Sequence, residues 1–130
     1  FMKRPWVMTS SDSSLGHPRA YGTFARKYEQ YVVKEHTISL GQFIRSSSSL
    51  TADTLGLKQR GHLRPGYYAD VVVFDPARYS AKATYTKPTL LSEGVVTVLV
   101  NGRLAVDAGK PTGIGAGQPL LRTPKAGSCT

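Results

Sequence analysis

Apolar positions change their period near Gly61, dividing the chain into an earlier helical part and a later strand-forming part. Phe24, Tyr28, Tyr31 and Val32 fall at i, i+4, i+7 and i+8, a single stripe that predicts a helix after Gly22 with Thr23 as its N-cap. Lys34 and His36 stand near its end, where positive charge suits the helix dipole. A second helix start is marked by Ser39 and Gln42 at capping-box spacing, with Ile38 and Phe43 at the staple positions. Leu40, Phe43 and Ile44 supply its buried face. The four serines at 46–49 predict a fray or bend, and Thr51 predicts the cap of a short third helix closed by Gly56. Ahead of these, PWVMT at 5–9 predicts a short buried strand that delivers the polar loop SSDSSLGHPR.

Beyond Gly61 the signals are those of strands. Pro65-Gly66 suits the centre of a type II turn, since proline presets φ and glycine accepts a positive one. The run Val71, Val72, Val73, Phe74 predicts a strand covered on both faces. Residues 76–94 form a Pro- and Thr-bearing excursion with little core content. Residues 95–107, VVTVLVNGRLAVD, predict a hairpin around Asn101-Gly102, the preferred type I′ pair. From Gly109 onward the glycine-rich tail predicts loop. Helices first and strands afterwards imply an α+β chain in two pieces, 1–57 and 58–122, followed by a tail at 123–130.

Composition narrows the classes. With 40% hydrophobic residues, the 130-residue chain can bury a modest core, but its start at Phe1 predicts a piece of a longer protein. Seventeen basic against eight acidic residues leave a formal charge of +9, which raises nucleic acid as a partner. The basic residues are scattered with no run longer than two, so a solvated surface is the favoured reading. Cys129 has no partner in the chain, which rules out an internal disulfide framework and permits a reducing compartment; a cytoplasmic location is expected. No apolar stretch approaches the ~20 residues needed to cross a bilayer.

Few residues carry chemistry by themselves. An aspartate such as Asp12 in a Ser-rich loop is most often a turn former or a helix cap. His17, Pro18 and Arg19 read as a proline-stiffened polar loop. The histidines His17, His36 and His62 show no H-x-H and no paired spacing, so no principal metal ligand is expected in this chain. Asp70 and Asp75, bracketing the valine run, are expected to orient a strand. The glycines of TGIGAGQ at 112–118 precede no Gly-Lys-Ser/Thr and are read as loop.

Two motifs change the picture. HPRAYGTF at 17–24, following VMTSSD, resembles the last active-site loop of the N-acyl-D-amino-acid deacylases (D-aminoacylases). RGHLRPGYYADVVVFDP at 60–76 resembles the segment by which the wider metal-dependent amidohydrolase superfamily leaves its catalytic barrel. The resemblance covers roughly residues 5–122. It implies that the chain is the carboxyl-terminal portion of such an enzyme, inactive alone. Residues 1–57 would hold the last strand and helices of a TIM-like (β/α)8 barrel, and 58–122 part of a small accessory β-sandwich domain.

The same resemblance assigns roles. Asp12 would be the catalytic acid/base, accepting the proton of a metal-bound water that attacks the amide carbonyl and passing it to the departing amine. Arg19 would bind the α-carboxylate of the substrate, a task suited to a guanidinium fork. His17 either orients Arg19, reaches the site itself or serves structure alone. Tyr21 is read as a packed aromatic, with a place in the substrate pocket as the alternative. The implied cofactor is Zn2+ held mainly by residues outside this chain, with Asp12 touching the metal site at most from its edge. The implied reaction converts an N-acyl-D-amino acid to a carboxylate and a free D-amino acid, without nucleic acid or membrane as partners. Many relatives carry a longer insert between the aspartate and the arginine, often beginning Asp-Gly, so the side-chain preference stays open. Two competing readings are a hydantoinase-like hydrolase of cyclic amides and a noncatalytic basic β-module binding nucleic acid or a partner subunit.

Overall fold

A computed structural model describes residues 1–121; Arg122, Cys129 and the expected tail at 123–130 lie outside the described residues. Three helices precede four strands. α1 spans Arg19–Lys27, α2 Leu40–Ser47 and α3 Ser49–Leu55; β1 is Val71–Phe74, β2 Val95–Val100, β3 Arg103–Asp107 and β4 Lys110–Pro111. The strands form one antiparallel sheet in sequential order.

The helical part departs from expectation at both ends of the first helix. α1 begins at Arg19 with Pro18 preceding it, not at Thr23, because the fixed φ of proline starts a helix without needing a side-chain cap. Thr23 instead returns its hydroxyl to the Arg19 carbonyl at 2.8 Å. The apolar stripe then runs past α1 into a π-helical segment, Tyr28–Lys34. That wider turn carries Tyr28 into the core while Phe24 is left 38% exposed. Residues 5–9 form no strand. Two turn bonds, Arg4 N–H to Phe1 O and Val7 N–H to Arg4 O, fold the start of the segment. Residues 7–10 then run on with no neighbouring strand to pair with among the described residues.

α2 follows its sequence signals closely. Gln42 N–H donates to Ser39 Oγ at 3.1 Å and Ser39 N–H to Gln42 Oε1 at 2.9 Å, the reciprocal capping box. Ile38 and Phe43 are both buried, but Leu40 and Ile44 lie on the outer face, half-exposed. The serine run breaks the helix at Ser48, whose φ of −142° and ψ of −84° separate α2 from α3. Ser48, not Thr51, precedes α3, and Gly56 closes it in the left-handed region.

A small aromatic core joins the layers. Tyr28, Ile38 and Phe43 are buried together, with Tyr31, Val32, Phe74 and Tyr79 packed against them. Phe74 and Tyr79 lie 4.8 Å apart between ring centroids, and the Tyr28 hydroxyl donates to the Pro76 carbonyl at 3.1 Å. The excursion at 76–94 therefore does contribute to the core, through Tyr79 and the buried Ala83. Gly94 is required by this packing: at φ +80°, a Cβ there would sit 2.5 Å from Tyr79 N.

The sheet is a meander. Arg64 O accepts from Tyr67 N–H at 3.1 Å across Pro65-Gly66, and Gly66 has φ +81°, as a type II turn requires. Asn101 and Gly102 both take positive φ at the β2–β3 turn, as type I′ requires. β1 is not covered on both faces: Val72 and Val73 are 57% and 47% exposed, because no second layer lies over them among the described residues. Part of the expected tail also pairs, with Val106 opposite Pro111 and Asp107 opposite Lys110.

Candidate active-site loop

The loop at 10–18 starts from a fixed point and ends on a helix. Thr9 N–H donates to Ser46 O at 2.8 Å, anchoring the chain just before the loop. At Asp12 the backbone takes φ +45°, a left-handed turn that aspartate tolerates better than most residues, and its N–H donates to Ser10 Oγ at 3.3 Å. Gly16 takes φ +77°, and the chain then enters α1 through Pro18.

This path brings Asp12 and Arg19 together. Asp12 Oδ2 lies 3.2 Å from Arg19 Nη2, and the same nitrogen donates to Ser14 Oγ at 3.2 Å. The carboxylate is 85% exposed on its side chain and the guanidinium 38%, so the pair is open to incoming groups. Arg19 Nε is buried and has no hydrogen-bond partner. A part-exposed guanidinium beside an open carboxylate can take a second anionic group.

His17 turns towards the backbone of Arg19. Its Nδ1 accepts from Arg19 N–H at 3.1 Å. Tyr85 packs edge-on against the His17 ring at 5.2 Å. Tyr21 lies in the first turns of α1, 47% exposed, and its carbonyl accepts from the Ser92 hydroxyl at 3.0 Å. The excursion at 76–94 thus touches the loop at His17 and α1 at Tyr21. No sequence signal points to Tyr85 and Ser92, because their contacts depend on the tertiary path, and Ser14, five residues from Arg19, carries no motif of its own.

Other titratable groups are engaged elsewhere. His62 Nε2 lies 2.8 Å from Asp53 Oδ1. Lys34 Nζ donates to Glu29 Oε1 at 2.8 Å, and this bond is the largest cause holding the Glu29 carboxyl below its ordinary range. Among the described residues no three His, Cys, Asp or Glu side chains gather where they could hold a metal ion. With His17 Nδ1 spent on Arg19, the loop offers one free carboxylate and no second donor of that kind. These residues alone do not fit a zinc site. No helix among the described residues is long and apolar enough to cross a membrane.

The model of the amidohydrolase family matches residues 2–106, and the chain belongs to that family. Within it, the chain is 42% identical over 97 residues to an N-acyl-D-aspartate deacylase of Alcaligenes xylosoxydans xylosoxydans, covering 75% of this chain and 19% of that protein. The crystal structure of a D-aminoacylase superposes with a TM-score of 0.77 at 40% identity, over 82% of this chain and 22% of the other. An N-acyl-D-glutamate deacylase from Bordetella bronchiseptica, solved with zinc and a phosphonate mimic of the tetrahedral intermediate, superposes with a TM-score of 0.75 at 38% identity, over 83% of this chain and 24% of the other. The chain therefore spans about a fifth of the length of the relatives it matches.

Proposed function

We propose that these residues are the carboxyl-terminal part of an enzyme that hydrolyses N-acyl-D-amino acids to a carboxylate and a free D-amino acid. The observation that carries the reading is the open Asp12–Arg19 pair, 3.2 Å apart, on a chain about 40% identical to deacylases of this kind. In the proposed mechanism Arg19 receives the α-carboxylate of the substrate and so sets the scissile amide against Asp12. Asp12 accepts a proton from the attacking water and returns it to the amine as the C–N bond breaks. Arg19 also offsets the repulsion between the substrate carboxylate and Asp12. His17 fixes the first turn of α1 through the Arg19 amide, and Tyr21 stands at the rim.

The zinc belonging to this proposal depends on ligands beyond these residues. In the same reading, residues 1–57 close a (β/α)8 barrel, with the extended residues 7–10 in the place of its last strand. Residues 58–122 complete an accessory β-sandwich domain whose missing layer would cover Val72 and Val73. A cytoplasmic site of action, with no nucleic-acid or membrane partner, belongs to the same proposal.

The test is turnover by the full-length zinc-loaded chain. N-acetyl-D-amino acids should be hydrolysed and their L-enantiomers and dihydrouracil should not. Hydrolysis of dihydrouracil in preference to every N-acetyl-D-amino acid would overturn the reading.

A further inference from the structure

Lys27 is a buried cation that faces no carboxylate among the described residues. It is the last residue of α1, with 9% of its surface exposed. Its ammonium donates to Thr9 Oγ1 at 2.5 Å and to Ser46 Oγ at 2.8 Å, and lies 5.9 Å from the centroid of the Phe43 ring. Burial lowers its pKa from the ordinary 10.5. For packing alone, a methionine of similar length would fill this space without the desolvation cost.

The ammonium supplies a junction. Thr9 Oγ1 also lies 3.1 Å from Ser47 Oγ, and Thr9 N–H reaches Ser46 O, so α1, α2 and the segment before the active-site loop meet at one point. Ser46 sends its own hydroxyl hydrogen to Phe43 O at 3.1 Å, which leaves its lone pairs for Lys27. Arg19 opens α1 and Lys27 closes it, roughly 12 Å away at 1.5 Å per residue. The loop carrying Asp12 is therefore tied to both ends of one rigid helix. It is covalently joined at Arg19 and hydrogen-bonded through Thr9 at Lys27.

We infer that Lys27 is a positioning residue: by holding Thr9 it fixes one end of the 10–18 loop and so sets the placement of Asp12 relative to Arg19. The inference rests on the deacylase reading for its catalytic consequence, but the clamp itself has a readout independent of activity. Three variants of the full-length zinc-loaded chain test it. Thr9→Val keeps shape and removes the hydroxyl; Lys27→Met removes the ammonium; Thr9→Ser keeps the hydroxyl.

Thr9→Val and Lys27→Met should speed hydrogen exchange in residues 9–13 about tenfold. They should lower kcat for N-acetyl-D-amino acids about 10- to 100-fold, with KM held within about twofold because Arg19 stays on α1. Thr9→Ser should restore both. Unchanged exchange at 9–13 in folded Thr9→Val overturns the clamp, as does a Thr9→Ser variant that falls as far as Thr9→Val. Should the wild-type chain turn over none of these substrates, the deacylase reading fails, and the exchange measurements alone decide the clamp.

Discussion

Among the described residues there are two arginine–aspartate pairs, and they differ in what is left unused. Arg60 reaches Asp70 through one terminal nitrogen and Asn101 Oδ1 through the other, and its guanidinium lies 4.1 Å over the Tyr68 ring. Asp70 spends its second oxygen on Asn101 N–H at 2.8 Å, and Asn101 Nδ2 donates to Ala116 O at 2.7 Å. Both terminal nitrogens of Arg60 and both carboxylate oxygens of Asp70 are engaged there, and the Arg60 side chain is 12% exposed. Arg19 and Asp12 meet through one contact, on an 85% exposed carboxylate, with Arg19 Nε unpaired. A closed network stabilises a turn; an open pair of the same residue types leaves its carboxylate accessible to solvent.

The sharpest way to break this contrast is to neutralise one member of each pair in turn. Asp12→Asn should cost about 10²- to 10⁴-fold in kcat in the full-length chain, since it preserves shape and removes the proton carrier. Its unfolding midpoint in urea should hardly move, because an exposed pair contributes under about 1 kcal/mol. Arg60→Met should do the reverse. It leaves Asp70 and Asn101 without their partner and should cost about 2–3 kcal/mol of stability in urea unfolding, with kcat largely retained. Near-normal turnover by Asp12→Asn would remove the catalytic role from the open pair.

Much of this was legible before any coordinates, and unevenly so. The capping box at Ser39 and Gln42, the turns at Pro65-Gly66 and Asn101-Gly102 and the Gly56 helix end are set by residues within a few positions of one another, and all four formed. The resemblance in HPRAYGTF pointed to Asp12 and Arg19, and the loop does bring them together. What failed depended on partners distant in sequence. Residues 5–9 and the valines of β1 carry the apolarity of buried strands but lack the neighbours that would bury them. Thr23 is the local exception: it lost its cap role to Pro18, a competing start signal five positions earlier. Lys27, Tyr85 and Ser92 were invisible because a lysine, a tyrosine and a serine announce nothing until the chain brings them to the loop.

A milder change sharpens the role of the open guanidinium. Arg19→Lys keeps the charge and loses the planar fork, so the KM for N-acetyl-D-amino acids should rise about tenfold while kcat falls less. A KM that stays at the wild-type value would assign carboxylate binding to another group. The same change at Arg60 should leave KM alone and lower stability, since there the fork serves Asp70 and Asn101.

The smallest effect separates a third cation from both pairs through its pH dependence. Lys27 has no carboxylate partner, and burial pulls its pKa below 10.5. Below the folded-state value both states carry the proton, and stability does not depend on this group. Between that value and 10.5 the unfolded chain holds more protons, so stability rises with pH. Tyr79 acts in the opposite sense: burial raises its pKa above 10.0, so from there upward the unfolded chain ionises first and stability falls. Through Lys27 the full-length chain should therefore gain stability as pH rises towards 10.5, and through Tyr79 it should lose stability as pH rises above 10.0. Urea unfolding across that range should lose its rising limb in Lys27→Met and its falling limb in Tyr79→Phe. A rising limb that survives Lys27→Met would assign it to another group and remove the burial shift from Lys27.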